Sequence, residues 1–366
     1  MEEALRYKIA LSLIPSLTPV ESRLLLDYFG SAEAVFLKEN LEQAESLNPK
    51  IRENILRGAA LKKADEEMEL IEKHHIQVRF IDDADYPNRL RACPDAPIVL
   101  YSKGFSDLNE KKIVSIVGTR HASAYGRSLT EHLIQDFARV YPEMIIVSGL
   151  AYGIDICAHK AAMTNNLNTA AVLAHGLHEV YPALHRDIAS KILSNGSLIT
   201  ELPWGTPSEP WRFVQRNRIV AGMCDACIVV ESADKGGSLI TAHMAADYNR
   251  DVFAFPGRKC DEHSRGCNKL IKKQVARLIE SAEDVLLEMN WDIPQKKAQK
   301  QTKLFLDLKP AEENLYSYMK IGELYNCNQL AIQTDVKIGE ILSSLMQLEM
   351  MGLVESIPGG SYCKKD

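Results

Sequence analysis

The chain has 366 residues, 46% hydrophobic and 25% charged, with a formal net charge of −6. This is the make-up of a soluble globular protein of two or three domains with a sizeable core. A negative total gives no global attraction to nucleic acid or to an anionic membrane, so any such binding has to come from a local basic patch. No apolar run approaches the roughly 18 residues that cross a bilayer. The start MEEALRYKIA lacks the n-region and h-region of a signal peptide. The expectation is a cytoplasmic protein with no membrane partner.

Residues 1–75 carry apolar positions at helical spacing among strong helix formers, in YKIALSLI, ESRLLLDYFG and IRENILRGAALKKADEEMELIEKHH, which predicts a small helical domain. Its segment LIPSLTPVESRLLLDYFGSAEAVF has the outline of a helix-hairpin-helix element, able to offer backbone amides to a DNA phosphate. The turn, Pro15-Ser16-Leu17-Thr18-Pro19, lacks the glycines that permit close approach, which favours a structural role.

Residues 76–291 alternate short apolar runs with helix-length segments. Strands are predicted at 78–81, 98–101, 113–117, 144–148, 169–173, 197–200, 227–230 and 252–254. Apolar on both faces, they imply an α/β domain with a mostly parallel sheet and helices on both sides. Residues 292–309 are polar and lysine-bearing and read as a linker. Residues 310–366 have the pattern of a winged helix: Ile338, Ile341, Leu342, Leu345 and Leu348 on one helical face, then two short strands about a Pro-Gly-Gly turn. The candidate recognition helix sets only Lys337 against Glu340 and Glu349. It lacks the basic face that dominates DNA affinity, so protein docking or packing is favoured there.

Among the eight cysteines, Cys224, Cys227, Cys260 and Cys267, with His263 nearby, come nearest to a zinc spacing. The second pair is too widely spaced for a compact thiolate pair, and the set is read as buried small hydrophobic residues. No metal or cofactor is expected.

Several polar stretches fall where strands end and helices begin, the edge on which open α/β sheets bind ligands. KKIVSIVGTRHASAYGRSLTEHLI reads as strand, turn and helix, with Gly118 and Gly126 flanking Arg120 rather than a dinucleotide G-x-G-x-x-G. Such a turn suits an anion met by an arginine and by backbone amides, with Thr119, Ser123 and Tyr125 beside it. After EMIIV, Ser148, Gly149, Gly153 and Asp155 line a second turn, and His159 lies four residues beyond Asp155. Capping by Asp155 and a satisfied histidine are favoured over catalysis there. Arg216, Asn217 and Arg218 open another helix, where Trp211 and Phe213 either stack on bases or belong to the core. Lys235, Gly236, Gly237, Ser238 and Thr241 form a second phosphate-type loop. With Arg120, Arg218 and Lys235 placed on one edge, an extended polyanion fits better than a single phosphate. Arg120 is expected to bear more of the phosphate contact than any other single residue; the alternative is a structural arginine paired with a carboxylate such as Asp155.

VGTRHASAYG, SGLAYGIDICAH, AHGLHEVYP, RNRIVAG, GGSLITAHMAADYNRDVFAFPG and RGCNKLI, in this order, resemble the DprA/Smf family of DNA-processing proteins. The resemblance implies an extended Rossmann-like domain between a helical (SAM/helix-hairpin-helix-like) head and a winged-helix tail. It also implies a cytoplasmic homodimer that binds and protects single-stranded DNA without cutting it and helps load RecA during natural transformation. The family's pocket lies around the turn with Arg120 and uses basic and aromatic residues near the YP segment, matched in part by Tyr181, Pro182, His185 and Arg186. Two departures stand out: Gly176-Leu177-His178 where the family often has Gly-Leu-Asp, and Asp234-Lys235-Gly236-Gly237-Ser238 where Arg-Ser-Gly-Ser is frequent. The competing reading is a nucleotide-processing enzyme, phosphoribohydrolase-like, which needs a glutamate that DKGGSLITAHMAAD lacks beside its glycines.

Overall fold

The computed structural model describes residues 2–43, 48–104, 107–109, 111–291, 309–320, 323–334, 336–357 and 360–364. The chain divides into two compact units, Met1–Ile293 and Pro294–Asp366. The linker read at 292–309 lies, apart from Lys309, outside the described residues.

The first unit opens with helices α1 (Glu2–Ser12), α2 (Pro19–Phe29), α3 (Ala32–Val35), α4 (Lys38–Gln43), α5 (Pro49–Leu56) and α6 (Ala59–Lys73). The turn before α2 does not present a free amide at Thr18. The Glu21 carboxylate accepts from the Thr18 amide at 2.8 Å and from its hydroxyl at 2.7 Å, a capping box closed by the chain's own anion. Buried Glu67 of α6 accepts from the Trp204 amide at 2.8 Å, which ties the helical head to the sheet region.

The elements that follow are β1 (Gln77–Phe80), α7 (Asn88–Arg91), β2 (Val99–Gly104), β3 (Ile113–Val117), α8 (Ala124–Val140), β4 (Ile145–Ser148), α9 (Ile154–Thr164), β5 (Asn168–Val172), α10 (Arg186–Ile192) and β6 (Gly196–Thr200). After them come α11 (Pro210–Gly222), β7 (Ala226–Val229), α12 (Gly237–Asp247), β8 (Asp251–Ala254), α13 (Arg265–Lys272), β9 (Arg277–Leu278) and α14 (Ala282–Glu288). The nine strands lie in the order β1-β2-β6-β5-β4-β3-β7-β8-β9. β1 and β2 run antiparallel at one edge and every pair from β6 to β9 is parallel. All eight strands expected in this region are present within a few residues. The missed one, β9, has two exposed residues and so carries no apolar signal.

The parallel core starts at β3. Its five residues IVSIV are all buried, as a strand covered by helices on both faces requires. Ser115 sits inside this run because its hydroxyl donates to the Val220 carbonyl at 2.6 Å. From β3 the chain winds outward through β4, β5 and β6, then returns to place β7 on the other side of β3. That reversal makes the carboxyl ends of β3, β4 and β7 the natural place for a crevice.

The second unit comprises α15 (Pro310–Tyr318), β10 (Leu324–Asn326), α16 (Cys327–Thr334), α17 (Ile338–Met350), β11 (Val354–Ile357) and β12 (Ser361–Lys364), with a sheet in the order β10-β12-β11. It is a winged helix; residues 358–359 of the expected Pro-Gly-Gly turn lie outside the described residues. Ile341, Leu345 and Leu348 of α17 are buried as expected, whereas Ile338 and Leu342 are 50% and 41% exposed. The buried seam is narrower than the five-residue face read from the sequence, because residues 338 and 342 start a separate stripe at four-residue spacing that continues through Met346 and Met350.

The fold yields a stability prediction. Phe137 of α8 is fully buried against the sheet, so Phe137→Ala is expected to cost about 3–5 kcal/mol. Denaturant unfolding checks this, and an unshifted midpoint contradicts it.

Candidate nucleic-acid interface

At the switch point the structure has a cavity of about 380 Å³. Gly118, Thr119 and Arg120 reach it from the end of β3, Gly149 and Asp155 from the end of β4, and Gly236, Gly237 and Ser238 from beyond β7. Phe213, Arg216 and Asn217 of α11 form its fourth side. Ten of the residues assigned from the sequence are thereby brought together: 118–120, 149, 216, 217 and 236–238, with Tyr181 reaching the rim through its contact with Phe213.

Arg120 is exposed, and among the described residues it forms no ion pair or hydrogen bond. Its guanidinium lies over the Phe213 ring, 5.4 Å from the centroid, an arrangement that orients the cation without neutralising it. Tyr181 stands on the same ring, 5.4 Å away. Phe213 is therefore partly covered, whereas Trp211 is 57% exposed beneath Arg212.

The alternative placing of Arg120 against Asp155 does not hold, because Arg216 occupies that position. Arg216 is buried, donates to the Val172 carbonyl at 2.5 Å and feels the Asp155 charge. Burial pulls its pKa down to about 10, with Asp155 opposing and Arg120 adding repulsion. The guanidinium stays charged. Burial likewise raises the Asp155 carboxyl, against the pull of Arg216 and of the Gly149 amide, which donates to it at 3.2 Å. Gly149 is required here by space: a Cβ would sit 1.9 Å from the Arg216 guanidinium. His159 is buried and neutral, its pKa pulled down to about 3 by burial, with Nδ1 2.7 Å from the Thr169 hydroxyl. Asp155 lies in the first turn of α9, and Gly153 is the N-cap.

Arg218 does not join the crevice. It is buried in an ion pair with Glu201 and donates to the Asp95 carbonyl at 2.7 Å. Residues two apart on a helix point in nearly opposite directions, so Arg216 and Arg218 cannot share one edge. Ser148 is also withdrawn, fully buried and donating to the Ile116 carbonyl at 2.7 Å. His185 is buried and uses Nδ1–H to donate to the Leu150 carbonyl at 2.8 Å. Arg186 and Tyr125 are exposed outside the cavity lining, and Lys235 lines a neighbouring cleft instead. Of the four cysteines with a zinc-like spacing, Cys224, Cys227 and Cys267 are buried and Cys260 is exposed.

The helix after Arg120 is not open to a ligand in the way its sequence suggests. Glu231, 3% exposed, places its carboxylate at the N-terminus of α8. It accepts from the Ser123 amide at 2.9 Å and from the Ser123 hydroxyl at 2.5 Å, while the Gly126 amide donates to that hydroxyl at 3.0 Å. A Cβ on Gly126 would meet the carboxylate at 2.2 Å. Glu231 was invisible in the sequence because its partner lies 108 residues away. By contrast α12 begins at Gly236 with no side-chain cap, so its dipole and first amides face the cavity.

A family model described as DNA recombination-mediator protein A matches residues 77–290, and one described as the DprA winged helix domain matches residues 323–360. The chain belongs to the DNA recombination-mediator protein A family. Among its relatives, protein Smf of Synechocystis is 31% identical over 98% of both chains. DNA processing protein DprA of Bacillus subtilis is 39% identical over 57% of this chain and 70% of its own. The crystal structure of DprA from Streptococcus pneumoniae superposes with a TM-score of 0.67 at 32% identity, over 77% of this chain and 97% of that one. DNA processing protein A from Helicobacter pylori, a structure described for its single-stranded DNA binding mode, gives 0.53 at 27% identity over 60% and 98%.

For this member of the recombination-mediator family, Glu231→Gln is expected to lower stability by about 1.5–3 kcal/mol, since it removes charge-assisted hydrogen bonds from a buried helix terminus. Thermal unfolding measures it. A change below about 0.5 kcal/mol, the ordinary scatter of surface substitutions, contradicts the assigned role.

Proposed function

We propose that the protein is a non-catalytic recombination mediator that binds single-stranded DNA in the crevice at the switch point. The observation that carries this reading is the pairing of an unneutralised, exposed Arg120 with the uncapped start of α12 across one cavity. Phosphate is the ligand that both features attract. A flexible strand can bend its backbone into such a crevice, whereas the stiff duplex cannot. Phe213 and Tyr181 at the rim offer aromatic surface to unpaired bases, which every base accepts through its π-face. The binding is therefore backbone-directed and tolerant of sequence.

The family resemblance supports the finer parts of the proposal: protection of incoming single strands, RecA loading during natural transformation, assembly as a cytoplasmic homodimer, and absence of catalysis. Among the described residues no helix is long and apolar enough to cross a membrane. The DNA-contact set proposed from the geometry is Gly118, Thr119, Arg120, Gly149, Tyr181, Phe213, Asn217, Gly236, Gly237 and Ser238, with Arg216 as the buried charge beneath.

Arg120→Ala is expected to weaken binding of single-stranded oligonucleotide by roughly ten- to a hundredfold, the value of a charge-assisted contact of about 1.5–3 kcal/mol. Arg120→Lys should fall between, keeping the charge and losing the fork. Anisotropy titration with circular dichroism as the folding control decides it. Parent-like affinity in a folded Arg120→Ala protein removes the phosphate role from this turn.

A further inference from the structure

A second cleft, also about 380 Å³, lies between α12 and α13. Its lining includes Lys235, His243, Lys269 and Lys273, with Asp234 as the one carboxylate. Lys269 and Lys273 are four residues apart along α13 and its C-cap, so their side chains share a face. Lys235 comes to them from the loop before α12. All three lysines are exposed, and among the described residues none forms an ion pair or a side-chain hydrogen bond.

Several other surface cations of the unit are held in ion pairs. Arg6 pairs with Asp65, Lys8 with Asp83, Lys111 with Glu143 and Arg277 with Asp251. In a chain of net charge −6, three unpaired lysines around one concavity focus a positive potential that the total charge hides. Ammonium groups act on phosphate as point charges without a fixed geometry. They suit a backbone passing along the cleft rather than one seated phosphate.

Gly236 lines both this cleft and the crevice at the switch point. The loop that opens α12 is therefore the ridge between them, with Arg120 on one side and Lys269 and Lys273 on the other. We propose that the α12–α13 cleft is a second phosphate-binding site, which receives the backbone of the same single strand after it crosses Gly236. The inference rests on the DNA-binding reading above and gives the strand a direction.

The test uses the full chain and the double variant Lys269→Gln, Lys273→Gln, titrated in a salt series with oligothymidylates of about 6 and about 16 nucleotides, within the span of single-strand sites. For the longer strand, the slope of log affinity against log salt should fall by about 1.4 in the variant, two contacts at about 0.7 each, with a loss of roughly ten- to thirtyfold near 0.1 M salt. The shorter strand, which fills the crevice alone, should bind both proteins alike and in the same number per chain. A parent-like slope with the longer strand overturns the second site and leaves the crevice standing. Equal losses on both lengths, or fewer short strands bound per chain, overturn the continuous path. Failure of the parent to bind either strand instead overturns the DNA-binding reading itself, and this site with it.

Discussion

Of the helix N-termini near the crevice, the protein closes that of α8 with its own carboxylate and leaves that of α12 without a side-chain cap. Each terminus carries roughly half a positive charge and unpaired amides, so both would attract an anion. Glu231 fills the start of α8, satisfied by the amide and hydroxyl of Ser123. Its backbone carbonyl also accepts from the Thr119 amide at 2.7 Å, and the Thr119 carbonyl accepts from the Ile154 amide at 3.1 Å. The loop bearing Arg120 is thereby held on either side of that residue. A cation on a loop fixed in this way loses little freedom on meeting a ligand, and that preorganisation favours binding. The α12 terminus has no side-chain cap.

Charge is layered in the same place. Arg216 is buried, and a buried cation is tolerated only with compensating partners; the Val172 carbonyl and Asp155 supply them. It shapes the crevice floor and leans on Gly149, while Arg120 above it stays exposed, with no ion pair among the described residues. The same separation explains why neighbouring polar residues drop out. Ser148, His185 and Arg218 have their hydrogen bonds met by carbonyls and a carboxylate of the fold.

Much of this was legible in the sequence where the signal is local. IVSIV is a strand buried on both faces and reads as one; VGTR and KGGS mark two of the turns that reach the cavity. The errors come from contacts distant in the chain or from direction. Arg216 and Arg218 look like a pair in the sequence, yet helix geometry turns one inward and the other toward Glu201. The start of α8 looks like a free anion site until Glu231 is folded against it. Ile338 and Leu342 continue an apolar pattern that packing does not bury, since only position on the helix, and not composition, selects the seam.

The most direct test of this account is an amide chemical-shift titration of the deuterated, 15N-labelled protein with a short single-stranded oligonucleotide. The account predicts large shifts at Gly236, Gly237 and Ser238, with the Ser123 and Gly126 amides, engaged by Glu231 and the Ser123 hydroxyl, nearly unmoved. Large shifts at Ser123 and Gly126 with α12 silent would contradict it, since the strand would then be displacing the protein's own carboxylate rather than using the terminus left open.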